Sequence, residues 1–418
     1  MADVTNVRES GIAAADRRPA RRRLYMFIGA ETISGLGSSA ALVATSLLVY
    51  DRTHSVAALG SVWAVKALVR LFFSPLAGAI VDRSKIKTIL MITGSANAVV
   101  AASLAWAVHV GVWFLFALIG LLQLIQGFDS PATNSLIATV VDKGDLQRVN
   151  GYARSAGNIV SIAGPALGGA LYALAGAGIV FIFNGLSFAL VLFFVAALRV
   201  PRREHEASAR SSVWTNSAAG LRYARSDLFI LAILCLAVID SMVGRAVEIV
   251  MVPLTTVTAH MGSSGLGIAY SALTFGAVAG ALMSTRIRKL LARPANLIVS
   301  YAALAVPLVA VAVLAQRIVI LVCMFAMGFV MDIFAVSLMT TFQRHVSPDY
   351  LGRVIALYGS ALALGALPLA FGISPIVSVL GVRGTFAVSG ILIAGTYVVL
   401  AVAVRRGELA KSPATESA

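Results

Sequence analysis

The sequence predicts an all-α membrane protein with twelve transmembrane helices arranged as two pseudo-symmetric six-helix bundles. Three observations carry that prediction. Apolar runs of twenty residues or more recur along nearly all of the 418 residues, with 59% hydrophobic and only 12% charged side chains. A soluble chain carries about 25% charged residues, and a run of about twenty apolar residues is what a helix needs to cross the hydrocarbon core. The basic residues alternate between the two ends of successive runs. Finally, the two halves of the chain share short matching segments.

Taken in order, Met1 to Arg23 is polar and ends in Arg-Arg-Pro-Ala-Arg-Arg-Arg. No short apolar segment with a cleavage site follows it, so it reads as a cytoplasmic flank, residues 1–24, and not as a removable signal. Apolar spans are expected at 25–50, 56–81, 88–109, 112–141, 148–174 and 177–198 in the first half. Those of the second half are at 228–258, 263–285, 295–315, 318–346, 350–380 and 383–404. Several exceed 25 residues, which implies tilt or extension beyond the bilayer. The polar stretch 199–227, which includes Pro201-Arg-Arg-Glu-His-Glu206, divides a bundle at 25–198 from a bundle at 228–404. Within it, 213–223 reads either as an amphipathic interfacial helix or as solvated linker. Residues 405–418 form a second cytoplasmic tail.

The charges fix the orientation. With both termini in the cytoplasm, the inner side carries 27 of the 33 Lys and Arg residues, and the outer loops carry Arg52, Arg317 and Arg383. Lys66, Arg70 and Arg245 lie inside spans. A wrong helix count would scramble this asymmetry. The net charge of +15 therefore reflects membrane topology, not an affinity for nucleic acid. Cys235 and Cys323 both lie in spans and read as packing residues.

At an offset of 205, Val141-x4-Leu146-x-Arg148-Val149 matches Val346-x4-Leu351-x-Arg353-Val354. At an offset of 202, Gly78-Ala-Ile-Val-Asp82 lies opposite Gly280-Ala-Leu-Met-Ser284. Such pairing suggests a parallel internal repeat about an axis along the membrane normal.

Five acids lie inside the expected spans: Glu31, Asp129, Asp240, Glu248 and Asp332. An ionised carboxylate at the bilayer centre costs about 2.5–3.5 kcal/mol on insertion scales, so such groups face a cavity or a partner. Glu31 sits about 9 Å into its span, with no basic residue three or four positions away. It reads either as a proton-coupling or cation-binding acid, or as a hydrogen-bonded structural carboxyl. Asp240, Gly244 and Glu248 share a helix face, and Arg245 reaches Glu248 at i+3. That leaves Asp240 and Asp332 as coupling candidates or as members of interhelical salt bridges. Lys66 and Arg70, at i and i+4, either form structural pairs with these acids or attract an anionic group of a substrate. Gln123 and Gln126 either line a cavity or bond neighbouring helices.

Gly164-Pro165-x-x-Gly168-Gly169 sits deep in the fifth span, where a proline frees a carbonyl and kinks the helix, and small residues admit a close neighbour. Enzymatic chemistry finds no support. There is no G-x-x-x-x-G-K-[ST] loop, and His54, His109, His205, His260 and His345 fall in loops or at span ends, without a metal-ligand cluster or nucleophile.

The loop Gly78-Ala-Ile-Val-Asp82-Arg83-Ser-Lys85-Ile-Lys87 resembles the G-x-x-x-D-R-x-G-R-K signature of the major facilitator superfamily, departing from it at Lys85 and Ile86. The Gly164-to-Gly169 sequence resembles the motif of proton-coupled drug antiporters, with Val160 where another Gly is often found. The run from Pro131-Ala132 through Asp145-Leu146 to Asn150 is similar to the branch of macrolide-efflux and enterobactin-export proteins. The resemblance implies two bundles rocking around a cavity lined by helices 1, 4, 7 and 10, the helices that hold the five acids. It also implies that Asp129 joins Asp82 and Arg83 in a charge relay that gates the inner side. The function it implies is proton-coupled export of a small hydrophobic or amphipathic compound (a drug, natural product or siderophore) by a monomer in a bacterial inner membrane. The energy source is the proton gradient, and no cofactor is expected. A proton-linked nutrient importer, or a non-transporting sensor with the same fold, is the alternative.

The topology predicts that a fluorescent protein inserted after His205 fluoresces, whereas alkaline phosphatase inserted after Arg317 is active. Both reporters giving the opposite result would invert the topology.

Overall fold

The computed structural model describes residues 3–107, 110–141, 146–198, 222–225, 227–287 and 294–405. The expected 213–223 helix lies almost wholly outside these residues, as do Asp145 and the tail from 406. Helix α1 is Asp3–Thr53, α2 Val56–Arg83, α3 Ile86–Ala107 and α4 Val112–Val140. One continuous stretch, Leu146–Ala197, is divided by the non-helical Gly176 into α5 (146–175) and α6 (177–197). In the second half, α7 is Leu228–Pro253, continued by a π turn at Leu254–Thr258, and α8 is Gly262–Arg286. Helix α9 comprises Pro294–Ala303 and Ala305–Leu314, joined at Leu304, and α10 is Arg317–His345. The stretch Pro348–Arg405 is divided at Gly381 into α11 (348–380) and α12 (382–405).

Nine helical stretches among the described residues are long and apolar enough to cross a bilayer; one of these, 151–197, is long enough for two crossings. Two shorter apolar pieces, Val56–Val69 and Tyr350–Ala366, belong to α2 and α11. Cut at the two glycines, the described residues form twelve long helical segments that coincide with the twelve expected spans. The chain is all-α. Helix α1 starts upstream of its span, because the Ala- and Arg-rich tail is itself composed of good helix formers.

The repeat is visible in the backbone. Gly176 has φ 75° and ψ −177°, and Gly381, at an offset of 205, has φ 69° and ψ 175°. This conformation is essentially restricted to glycine, and both residues turn the chain between two consecutive helices. His54 (φ 46°) and His260 (φ 50°) are likewise left-handed, one after α1 and the other after α7. Equivalent turns in the two halves are built the same way.

The helices pack as two compact units, residues 1–45 with 69–206 and residues 46–68 with 207–418. In the first, Leu24, Phe27, Ile28, Leu90, Ala132, Leu136, Val149 and Val195 form part of a buried core from α1, α3, α4, α5 and α6. Gly164 and Gly168 of α5 face α1: a Cβ added at Gly168 would stand 2.6 Å from the Ala40 Cα, and one at Gly164 would stand 2.5 Å from the Ser39 Cβ. In the second unit, α8 and α10 meet backbone to backbone at Gly276, Gly280 and Gly328. Apolar side chains gain nothing by leaving lipid for one another, so membrane helices associate through close packing of this kind.

Several cations outside the spans terminate helices. Lys87 Nζ donates to the carbonyls of Ala196 (2.7 Å) and Leu198 (2.8 Å) at the end of α6. Arg317 donates from Nε to Ala259 O at 3.1 Å and from Nη2 to His260 O at 2.7 Å, after the π turn. Arg383 donates to the carbonyls of Ala312 and Val313 at the end of α9. Arg317 and Arg383 are thus placed where a helix C-terminus presents orphan carbonyls and negative potential.

At the start of α7, Asp227 accepts from the N–H groups of Phe229 (2.9 Å) and Ile230 (3.3 Å), and its Oδ2 lies 2.8 Å from His345 Nε2 at the end of α10. Burial pushes its carboxyl up, but the bond and charge of His345 with the two backbone donors outweigh this and hold it below the ordinary carboxylate range. Asp227→Ala should destabilise by about 1–2 kcal/mol, whereas Asp227→Asn retains the cap. A depressed folded-state pKa contributes stability that is present above the unfolded value of about 3.9 and lost as pH falls through the folded value. Thermal midpoints of wild type and Asp227→Ala should therefore converge below about pH 4.

Candidate functional site

In the first unit, α1, α3 and α4 bring four oxygen-bearing side chains together. Asn97 Nδ2 donates to Asp129 Oδ2 at 2.6 Å. The Thr93 hydroxyl lies beside the same carboxylate without a hydrogen bond of good geometry. Glu31, on α1, lies within electrostatic range of Asp129. Thr93 and Asn97 are four residues apart and so share one face of α3. Elsewhere on α4, Gln123 Nε2 donates to Gln126 Oε1 at 3.1 Å, so these two amides bond each other.

The second unit holds a cavity of about 270 Å³. Its wall is apolar, with Phe334, Leu338, Met339 and Phe342 of α10 and Leu362 of α11, and Asp240 of α7 is its one acid. Tyr358 also lines it, and the phenols of Tyr301 and Tyr358 lie within electrostatic range of Asp240. The next residue, Ser241, donates to Leu362 O at 2.5 Å, which ties α7 to α11 beside the carboxylate. Asp332 of α10 stands apart: its Cβ is 3.2 Å from where a Gly280 Cβ would sit, and its Oδ2 is buried without a hydrogen bond among the described residues.

A third cluster of the second unit is cationic. Arg245 Nη1 donates to Glu248 Oε2 at 2.5 Å, the i,i+3 pair read from the sequence. Two cations approach the ring of Trp63 on α2, with Lys66 Nζ 4.8 Å and Arg245 Cζ 4.6 Å from its centre. These are cation–π distances. Tyr270 Oη donates to the Glu248 backbone carbonyl at 3.4 Å. Lys66 lies within electrostatic range of Glu248, so the aromatic face and the carboxylate together compensate its charge.

The Major Facilitator Superfamily model matches residues 27–370. The chain belongs to the major facilitator superfamily. Macrolide efflux protein A of Streptococcus pyogenes is 23% identical over 383 residues, covering 89% of this chain and 93% of that protein. Multidrug efflux pump Tap of Mycobacterium tuberculosis is 24% identical over 387 residues, covering 88% and 90%. Among solved structures, an inward-facing bacterial homolog of the human lysosomal transporter Spinster superposes with a TM-score of 0.70 at 13% identity, over 92% of this chain and 96% of that one. The nucleoside transporter NupG gives 0.67 at 15%, over 91% and 98%. At these identities the structures establish the shared fold. The chain is a multi-pass membrane transporter of the superfamily, not an enzyme.

The superfamily loop signature is only partly described. The side chains of Asp82 and Arg83 lie outside the described residues, as does that of Arg70, while Asp129 is held by Asn97. Lys87, the last residue of the signature, caps α6. Gly164, Pro165, Gly168 and Gly169 are all buried, and the first and third of these set the close approach to α1. Sequence reasoning passed over Thr93, Asn97, Trp63, Tyr301 and Tyr358. The i,i+4 spacing of Thr93 and Asn97 and the i,i+3 spacing of Trp63 and Lys66 were signals for two of these groups. Nothing in the sequence joined Tyr301 to Asp240.

Removing one partner of a buried ion pair costs about 3–5 kcal/mol. With side-chain exposures of 30% and 24%, Glu248→Gln should cost less than that and lower the thermal midpoint of the purified protein. Lys66→Met added to Glu248→Gln should recover part of the loss, because it removes a cation that Glu248 had balanced.

Proposed function

We propose that the chain exports small hydrophobic or amphipathic compounds across a bacterial inner membrane, by alternating access and in exchange for protons. The observation that carries this reading is the cavity of the second unit, where Asp240 is the one acid in a wall of aliphatic and aromatic side chains. Such a site suits a ligand with a large apolar body and one cationic or hydrogen-bonding group. The near-full-length similarity to a macrolide exporter and a multidrug pump supports the same direction of transport and the same broad substrate class.

In this reading Asp240 holds either a proton or the polar group of the compound. Protonation from the outer side displaces the compound, and deprotonation on the inner side readies the carrier for the next. Tyr301 and Tyr358, within electrostatic range of the carboxylate, supply hydroxyls to the bound molecule. Residues 31, 82, 83, 129 and 332 belong to coupling or gating and not to contact with the compound.

In inside-out vesicles with an established pH gradient, adding a macrolide or a lipophilic cation should release protons from the lumen. Asp240→Asn should abolish that response while leaving the protein folded. Absence of any response with folded wild type, across macrolides, lipophilic cations and siderophores, would overturn the proton-coupled export reading.

A further inference from the structure

The Asp240 carboxylate lines the cavity of the second unit and makes no hydrogen bond or ion pair with any described residue. Apart from Asp240, Tyr358 is the one lining residue with a polar side chain. Three aromatic rings share the wall with the acid: Phe334, Phe342 and Tyr358. Phe342 and Tyr358 stand at 76° with ring centres 5.9 Å apart, so the two make adjoining walls of a corner. Phe334 is backed by the ring of Tyr301, 5.2 Å away centre to centre. Phe334 and Phe342 are buried, whereas Met331 and Met339 of the same helix are 44% and 41% exposed and mark the mouth. An unpaired carboxylate within a membrane bundle calls for a partner, and aromatic rings attract cations.

We propose that this cavity selects a fully alkylated ammonium head group, in preference to a primary ammonium or an uncharged group of the same shape. The inference rests on the reading that the cavity holds the exported compound, and it names the head group. A primary ammonium brings three N–H donors, and the side chains of the wall offer acceptors only on Asp240 and Tyr358. A donor left unmade in a dry site keeps its full desolvation cost. A quaternary ammonium has no N–H to satisfy. Its charge is spread over alkyl groups that pack against aromatic rings, the arrangement by which aromatic cages recognise such cations. At about 270 Å³ the cavity lies below the usual range of about 300–1,000 Å³ for ligand pockets. It therefore seats the head group and an adjoining ring, and the rest of a larger compound leaves past Met331 and Met339. A permanently charged head cannot shed its charge by giving up a proton, so the exchange at Asp240 is one of proton for cation.

The test uses the full-length protein in detergent at neutral pH, without a proton gradient, and follows binding by calorimetry. The probes share one benzyl group: benzyltrimethylammonium, benzylammonium and neopentylbenzene, the uncharged isostere of the first. Benzyltrimethylammonium should bind about tenfold or more tightly than either of the others. Asp240→Asn should abolish its binding. Tyr358→Leu should weaken it by about tenfold, and Tyr358→Phe, which keeps the ring, should recover most of that loss. Benzylammonium binding as tightly as the quaternary compound would overturn the assignment. So would wild-type affinity in a Tyr358→Leu protein whose thermal midpoint shows it folded. The vesicle assay separates this inference from the export reading. Proton release by macrolides, with no binding of benzyltrimethylammonium, would overturn the head-group assignment alone. Binding in the expected order, with no vesicle response to any compound, would uphold the assignment and overturn proton-coupled export.

Discussion

An ionisable side chain in hydrocarbon must find its compensation within the protein, and this constraint shapes the polar architecture of the chain. An isolated charge at mid-membrane costs several kcal/mol, and no water is at hand to lower that cost. The second unit meets the constraint with an ion pair and an aromatic ring: Arg245 bonds Glu248, and Trp63 presents its face to both Arg245 and Lys66. The first unit meets it differently, holding Asp129 with the amide of Asn97 and no cation among the described neighbours. A carboxylate compensated by a basic partner is fixed in place. One held by neutral dipoles keeps the capacity to bind and release a positive charge, which is the property a transporter needs.

The same economy governs helix ends. Arg317 and Arg383, which the sequence expects in outer loops, are each bonded to the terminal carbonyls of a helix. At such a position the guanidinium offsets partial negative charge and satisfies acceptors that have no intrahelical donor. Lys87 does the same at the end of α6. These cations are therefore structural fixtures at helix ends.

Close packing positions these groups. Gly164 and Gly168 bring α5 against α1, the helix that carries Glu31, and Gly280 brings α8 against α10 beside Asp332. A side chain at any of these contacts would displace a helix that bears a mid-membrane acid. The glycine pair at 176 and 381 acts on another level. Its left-handed backbone lets one helix end and the next begin without a loop, at the same place in each half of the repeat.

The sequence by itself determined the all-α membrane class, the twelve helical segments and the superfamily, because each depends on quantities local to the chain: the length of an apolar run or a short motif. It also singled out the five acids, since a charge in an apolar run is conspicuous, and it paired Arg245 with Glu248 because helical spacing alone brings them together. Tertiary structure decided what surrounds the rest. Asp129 meets Asn97 across 32 positions, Asp240 comes within electrostatic range of Tyr301 and Tyr358 from α9 and α11, and Lys66 and Arg245 share a tryptophan contributed by α2. Helical periodicity gives the face on which a residue lies but not which helix opposes that face or at what height. Those depend on packing between segments far apart in the chain, and only the folded bundle supplies them.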